Sequence, residues 1–382
     1  MNHRERILAA LNHQEADRVP VDLGGTTATG IFAGAYEPLK RHLQLALDRP
    51  IRYVYAHSDL VRVDEEIVTR FDADVSPILP EGTNVLHYAD QTSHLDAGRY
   101  TDEYGVVFER PAGSPYAVVA QAPFAGCPDV ARIATHPWPD PQDPRRIQGL
   151  RECAQRLRQT TDRALVIGLP GRFLSFGQNL RGYADWMMYL ASEPRFVQAL
   201  LDKALEIQTG ICLQVLGALG DCVDIAMFAD DLGTELALQI SPQMYRRLIK
   251  PRQQALFAAV KRHSRARVFL HSDGTIATIL PDLIEVGVDI INPVQPTCAG
   301  MDTARLKRAF GRDITFWGLI DTQHVLPFGS PAAVADEVRR RIDDLAAGGG
   351  FVLAAVHNIQ PDVPPENIVS MFDTALAYGR YR

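Results

Sequence analysis

Apolar residues in this chain alternate between two rhythms. Short, nearly continuous apolar runs occupy residues 164–168, 223–228, 268–270, 288–294, 314–318 and 350–356, and each reads as a buried strand. Between them the apolar positions fall at helical spacing, as in Ile147, Leu150, Ala154 and Leu157, and over a long stretch from 194 to 216. Ser241-Pro242, Asp302, Ser330-Pro331 and Pro364-Pro365-Glu366 carry the side chains and prolines that open helices. The helix that begins at Pro242 is predicted to run toward Arg262 with a kink at Pro251. Two further strands are predicted earlier, at 18–23 and 72–78, with helices at 3–12 and 35–47.

Residues 79–135 have a different texture. The stretch 101–108 reads as a hairpin, and the prolines from Pro137 to Pro144 read as a linker. Six strand–helix units after the linker and two candidate strands before it fit an α/β chain, a (β/α)8 TIM-type barrel. The expectation is a single domain over 1–382, with an N-terminal helical extension and with 79–135 inserted over the barrel mouth. A doubly wound sheet is the alternative, but Gly24-Gly25 is not followed by the glycine fingerprint that such a sheet uses for phosphates.

Composition narrows the partners. The 382 residues carry a net charge of −7 and a pI near 5.9, and no basic stripe marks a nucleic-acid surface. Arg339-Arg340-Arg341 is followed by Asp343-Asp344 and reads as a solvated helix face. No apolar run approaches the ~18 residues of a membrane span. The first eleven residues read as an amphipathic helix rather than a secretory signal, and the five cysteines are scattered with no CxxC pair. A cytoplasmic protein is expected.

The chemistry gathers just after the strands. Asp230 and Asp231 follow one, His271 and Asp273 the next, then Asn292 and Gln295, then Asp321, Gln323 and His324, and finally His357, Asn358 and Gln360. In a barrel these carboxyl ends share one face, where the active site forms. His271 and Asp273 lie two residues apart at a strand end, so they point the same way. Asp273 fits two roles, a helix N-cap or a metal ligand. With His357 the pair makes a nitrogen/oxygen set suited to zinc, iron(II) or manganese, and the same residues suit a metal-free acid/base cleft. His324 reads as a loop histidine. Arg172, after the strand at 164–168, fits either a substrate carboxylate or the surface. Phe173, Phe176, Trp186, Met187 and Met188 fit either a pocket wall or the core.

Several stretches together carry a resemblance: residues 4–11 with 18–21, Thr101-Asp102-Glu103-Tyr104-Gly105, Ala229-Asp230-Asp231-Leu232-Gly233-Thr234, Ser241-Pro242-Gln243-Met244-Tyr245, Phe269-Leu270-His271-Ser272-Asp273-Gly274, Asn292-Pro293-Val294-Gln295, Trp317-Gly318-Leu319-Ile320-Asp321-Thr322-Gln323 and Val356-His357-Asn358-Ile359-Gln360. The chain resembles the uroporphyrinogen decarboxylase superfamily, in the branch of zinc-dependent, corrinoid-linked methyltransferases. The resemblance implies a methyltransferase or demethylase acting on a small methylated substrate. It implies a divalent metal, zinc in the relatives, at His271, Asp273 and His357, and a corrinoid supplied by a partner protein. Asp230 and Asp231 would be catalytic, and Arg172, Asn292, Gln295 and Gln323 would bind substrate.

Two departures stand out. The methyltransferases hold zinc with a His-x-Cys pair and a later Cys, where this chain has His271, Asp273 and His357. The decarboxylases carry arginines for their substrate's propionates, where this chain has residues 23–28 without one. The alternative is a metal-independent decarboxylase or lyase with Asp230 or Asp59 as acid and Arg172 as anchor. A ligand-binding barrel without catalysis is a third possibility.

Overall fold

A computed structural model describes residues 1–46, 50–55, 58–80, 98–114, 116–126 and 128–381. The end of the helix expected over 35–47, His57, Cys127 and residues 81–97 of the expected insertion lie outside the described residues.

The described residues form ten strands: β1 (Val75–Pro77), β2 (Arg99–Thr101), β3 (Val107–Glu109), β4 (Val118–Gln121), β5 (Ala164–Gly168), β6 (Ile225–Ala229), β7 (Arg267–His271), β8 (Ile290–Asn292), β9 (Thr315–Ile320) and β10 (Phe351–Ala355). Seven of them form one parallel sheet in the order β1-β5-β6-β7-β8-β9-β10. The segment around Val21 closes it. Val21 bridges Leu353 of β10 in parallel, and its carbonyl accepts the Asp74 N–H at 2.9 Å on the β1 side. The expected strand at 18–23 is therefore the eighth stave, and the sheet curls into a (β/α)8 barrel.

Inward-facing residues alternate along each stave and fill the barrel: Val75, Ala164 and Val166, Ile225 and Met227, Phe269, Ile290, Trp317, Val352 and Ala354. The helix His3–Leu11 plugs the bottom with Ile7, Ala10 and Leu11, and Asn2 and Glu5 form a capping box at its start. At that end an aspartate precedes each of β1, β6 and β8 and accepts an N–H from the neighbouring stave. Asp74 takes Val21, Asp224 takes Leu165, and Asp289 takes Val268, at 2.7–2.8 Å. Arg6 and Arg18 pair with Asp74, and Arg4 and Arg158 with Asp224. The N-terminal arginines thus lock register at the closed end of the barrel, away from the strand carboxyl ends.

The helices follow their caps. Ser241, Asp302 and Ser330 each accept a backbone N–H at a helix start. The helix expected to kink at Pro251 is instead two helices, Pro242–Leu248 and Lys250–His263, because the proline sits in the first turn of the second. The predicted hairpin at 101–108 is the β2–β3 turn of a three-stranded antiparallel sheet, β2-β3-β4, whose Tyr100 and Phe108 reach over the barrel mouth.

Candidate metal centre and its cavity

The period-2 alternation that fills the barrel sets the site. Phe269 is the last apolar inward residue of β7, so His271 is the next position on that face. On β8 the same step leads from Ile290 to Asn292, and the register makes His271 and Asn292 direct neighbours. Their side chains meet with His271 Nδ1 2.6 Å from Asn292 Oδ1. The Asn292 amide nitrogen donates to the Trp317 carbonyl at 3.2 Å, which leaves its oxygen to accept from His271. His271 Nδ1 therefore carries a proton, and in the neutral ring the Nε2 lone pair faces the cavity.

Opposite Nε2 stand two carboxylates and a second histidine. Asp273 Oδ2 is 3.6 Å from His271 Nε2 and 3.9 Å from His357 Nε2, and Asp231 Oδ1 is 3.9 Å from His271 Nε2. His271, Asp273 and His357 each place a ligand atom within 4.8 Å of the other two. Ligand atoms around a tetrahedral cation lie about 3.3 Å apart, so the two contacts of Asp273 would need to shorten by only a few tenths of an ångström. His357 Nδ1 lies 3.4 Å from the Tyr116 hydroxyl, which accepts from Gln360 Nε2 at 2.8 Å. Without a cation the cluster is an ion pair. Burial alone would lower the His271 pKa, but the adjacent Asp273 and Asp231 raise it to about 9. Burial pushes Asp273 up, and His271 more than offsets this and brings it to about 2. His357 is held below its usual value by burial and by the neighbouring His271.

Asp273 is delivered by two loops in backbone contact. Gly274 has φ of +81°, and a Cβ there would lie 2.6 Å from the Gly233 backbone. A Cβ at Gly233 would meet the Thr275 carbonyl oxygen at 2.6 Å. Only glycine allows this crossing, which brings Asp231 Oδ1 to the Asp273 N–H at 3.0 Å. The N-cap role open for Asp273 is not taken. Its side chain turns to the two histidines, and Ser272 instead accepts the Leu232 N–H.

Asp230 is occupied differently. Its two oxygens accept from the backbone of Phe173, Leu174 and Ser175 and from the Ser175 hydroxyl, at 2.7–2.9 Å. Four donors fill the acceptor sites of a carboxylate, so Asp230 anchors the start of the helix Leu174–Arg181. Burial pushes its pKa up against those four donors.

These groups line a cavity of about 480 Å³ at the strand carboxyl ends, with Asp230, Asp231, His271, Asp273, His357 and Arg172 in its wall. Arg172 also borders an adjoining chamber of about 90 Å³ that none of the metal-ligand candidates reaches. Asn292 stands behind His271 rather than in the wall. Gln295 and Gln323 brace the rim. Gln295 accepts the Gly274 N–H at 3.2 Å and donates to Gln323, which donates to Glu235. His324 is 71% exposed beside Asp321. Phe176 lines the small chamber, Phe173 and Trp186 are core, and Met188 is exposed.

Sequence reasoning missed the contributions of Tyr55, Tyr100, Phe108 and Tyr116, because none follows a barrel strand. It also missed Trp317, whose indole donates to the buried Asp22 carboxylate at 3.0 Å beneath Asn292. The nearly continuous apolar run of β9 marks Trp317 as buried and was the available signal.

The profile of the family described as "Uroporphyrinogen decarboxylase (URO-D)" matches residues 101–378. The chain belongs to the uroporphyrinogen decarboxylase family. A uroporphyrinogen decarboxylase of Crocosphaera subtropica is 27% identical over 248 residues, 62% of this chain and 65% of that protein. One of Alkalilimnicola ehrlichii is 24% identical over 380 residues, 97% of this chain and 92% of that protein. Among solved structures, a methyltransferase from Methanosarcina mazei superposes with a TM-score of 0.66 at 19% identity, covering 99% of both chains. That likeness fixes the shared fold. The superfamily resemblance found in the sequence and the barrel expected from its strand–helix pattern are both borne out.

Proposed function

We propose that this family member is a metal-dependent methyltransferase acting on a small methylated substrate, with His271, Asp273 and His357 as the metal ligands. The observation that carries this reading is the convergence of those three groups on one cavity, with the His271 tautomer set by Asn292 so that the Nε2 lone pair faces the other two groups. The donor set is hard and thiolate-free and suits zinc, iron(II) or manganese. Asp231 and Asp273 together match the charge of a divalent cation.

When bound, the metal supplies a Lewis acid for the heteroatom that carries the methyl group. The carbon–heteroatom bond breaks with its electron pair remaining on the heteroatom, and the methyl group passes to a nucleophile. In this reading that acceptor is a corrinoid presented by a partner protein. His271 and His357 orient the site, Asp231 holds the Asp273 loop, and Asp230 fixes the wall at Arg172.

The test is transfer of a labelled methyl group from a methyl ether or methylamine to cob(I)alamin. Transfer should vanish on chelation and return with added metal. Activity indifferent to chelation would contradict the reading.

The names of the relatives favour a second reading, a metal-independent decarboxylase that uses the His271–Asp273 pair for proton transfer. A polyanionic tetrapyrrole suits this cavity poorly. Arg172 is the one arginine or lysine among its described lining residues, and Arg4, Arg6 and Arg18 are paired at the other end of the barrel. Asp59, an acid considered for that reading, is paired with Arg110 at 2.9 Å.

A further inference from the structure

We propose that the cavity takes a carboxylate-bearing substrate with a planar apolar body, its anionic end on Arg172 and its uncharged, methylated end toward His271, Asp273 and His357. The inference rests on reading this cavity as the substrate site, and it does not require the metal.

Arg172 is held by its backbone. The buried Gln208 accepts the Arg172 N–H at 2.7 Å and donates to its carbonyl at 2.8 Å, so the side chain leaves from a fixed point. The half-buried guanidinium forms no hydrogen bond or ion pair among the described residues. Other enclosed arginines differ. Arg6 and Arg18 each bind aspartates, Arg146 and Arg163 each bind a glutamate, and Arg181 binds backbone carbonyls. Removing a cation from water without a counter-charge is costly, and a ligand that brings the anion removes that cost. The planar fork of a guanidinium matches a carboxylate with two parallel hydrogen bonds. Asp102 shares the small chamber and lies close enough to feel the Arg172 charge, but it turns one oxygen to the Tyr104 and Val106 N–H groups and is not within salt-bridge distance of the guanidinium.

The rest of the wall selects the body and the direction. Tyr55, Tyr100 and Phe108 line the cavity, and the Tyr100 and Phe108 rings stack at 5.1 Å, which presents flat apolar faces. Without a metal Asp231 and Asp273 disfavour an anion at the metal-ligand end, and with a divalent cation they neutralise it, so in both states Arg172 is the uncompensated positive group among the described residues of the wall. A substrate with one negative charge is thereby oriented, its charge at Arg172 and its neutral end at the histidines.

The test measures binding of 4-methoxybenzoate and 4-methoxybenzamide by calorimetry, on chelator-treated protein whose metal content is measured in the same sample. Wild type should bind the acid at least about ten-fold more tightly than the amide, as expected for a charge-assisted pair. Arg172→Met should abolish that preference, and Arg172→Lys, which keeps the charge without the fork, should retain part of it. Equal binding of acid and amide, or a preference that survives Arg172→Met, overturns the proposal. If Arg172→Met does not fold, Arg172→Lys decides, and an unchanged preference there overturns it. An acid preference in protein that never holds metal would leave this inference standing and sink the metal reading. A metal-loaded protein without the preference would do the reverse.

Discussion

Replacing Asn292 with alanine separates the metal site from the fold. Asn292 is fully buried and makes two hydrogen bonds, accepting from His271 Nδ1 at 2.6 Å and donating to the Trp317 carbonyl at 3.2 Å. Asn292→Ala leaves both partners buried and unpaired, at about 1–3 kcal/mol each. A total loss of about 2–6 kcal/mol is expected, read as a lower denaturant midpoint. The His271 ring also loses the acceptor that sets its tautomer. Loss of such an outer partner lowers metal affinity by about 10–100-fold. The assay is isothermal titration with zinc on wild type and variant, at a temperature where denaturation curves show both folded. A change in affinity below about two-fold in a folded variant would refute the claim that Asn292 prepares His271 for a metal.

Two further outcomes follow from the geometry. Gly274→Ala places a Cβ 2.6 Å from the Gly233 backbone at a positive φ, so it should cost about 1–3 kcal/mol of stability and weaken metal binding as Asp273 shifts; unchanged thermal stability and zinc affinity would contradict the loop-crossing argument. The Arg6 guanidinium holds Asp17 well below the usual carboxylate range, so the stabilisation it contributes is present above pH ~4 and is lost as pH falls further; melting temperature against pH should therefore fall less steeply below that point in Asp17→Asn than in wild type.

Much of this arrangement is legible from residue order because a barrel turns order into position. A strand's last inward residue and the loop that follows it both lie at the mouth, so His271, on the inward face of β7, and His357, two residues beyond β10, are grouped by residue order alone. The spacing of Asp273 allowed both a cap and a ligand. The choice between them depends on the Gly233–Gly274 crossing, a contact between loops distant in sequence. Asp230 shows the opposite difficulty. An acid at a strand end reads as chemistry, yet its oxygens are filled by N–H groups from a different loop. Gln295 and Gln323 likewise find each other and Glu235 at the rim. Tyr100 and Phe108 of the aromatic wall come from the antiparallel sheet, whose path over the mouth no strand-end rule gives.

The central claim is that His271, Asp273 and His357 hold a divalent metal, and metal content tests it most directly. Protein purified without chelator and analysed by elemental mass spectrometry should carry close to one equivalent of a divalent metal. Asp273→Ala should lose most of it while keeping its fold by circular dichroism, because two histidines alone make a weak site. Wild-type protein that holds no metal even after incubation with zinc, iron(II) or manganese, or Asp273→Ala with unchanged occupancy, would contradict the account.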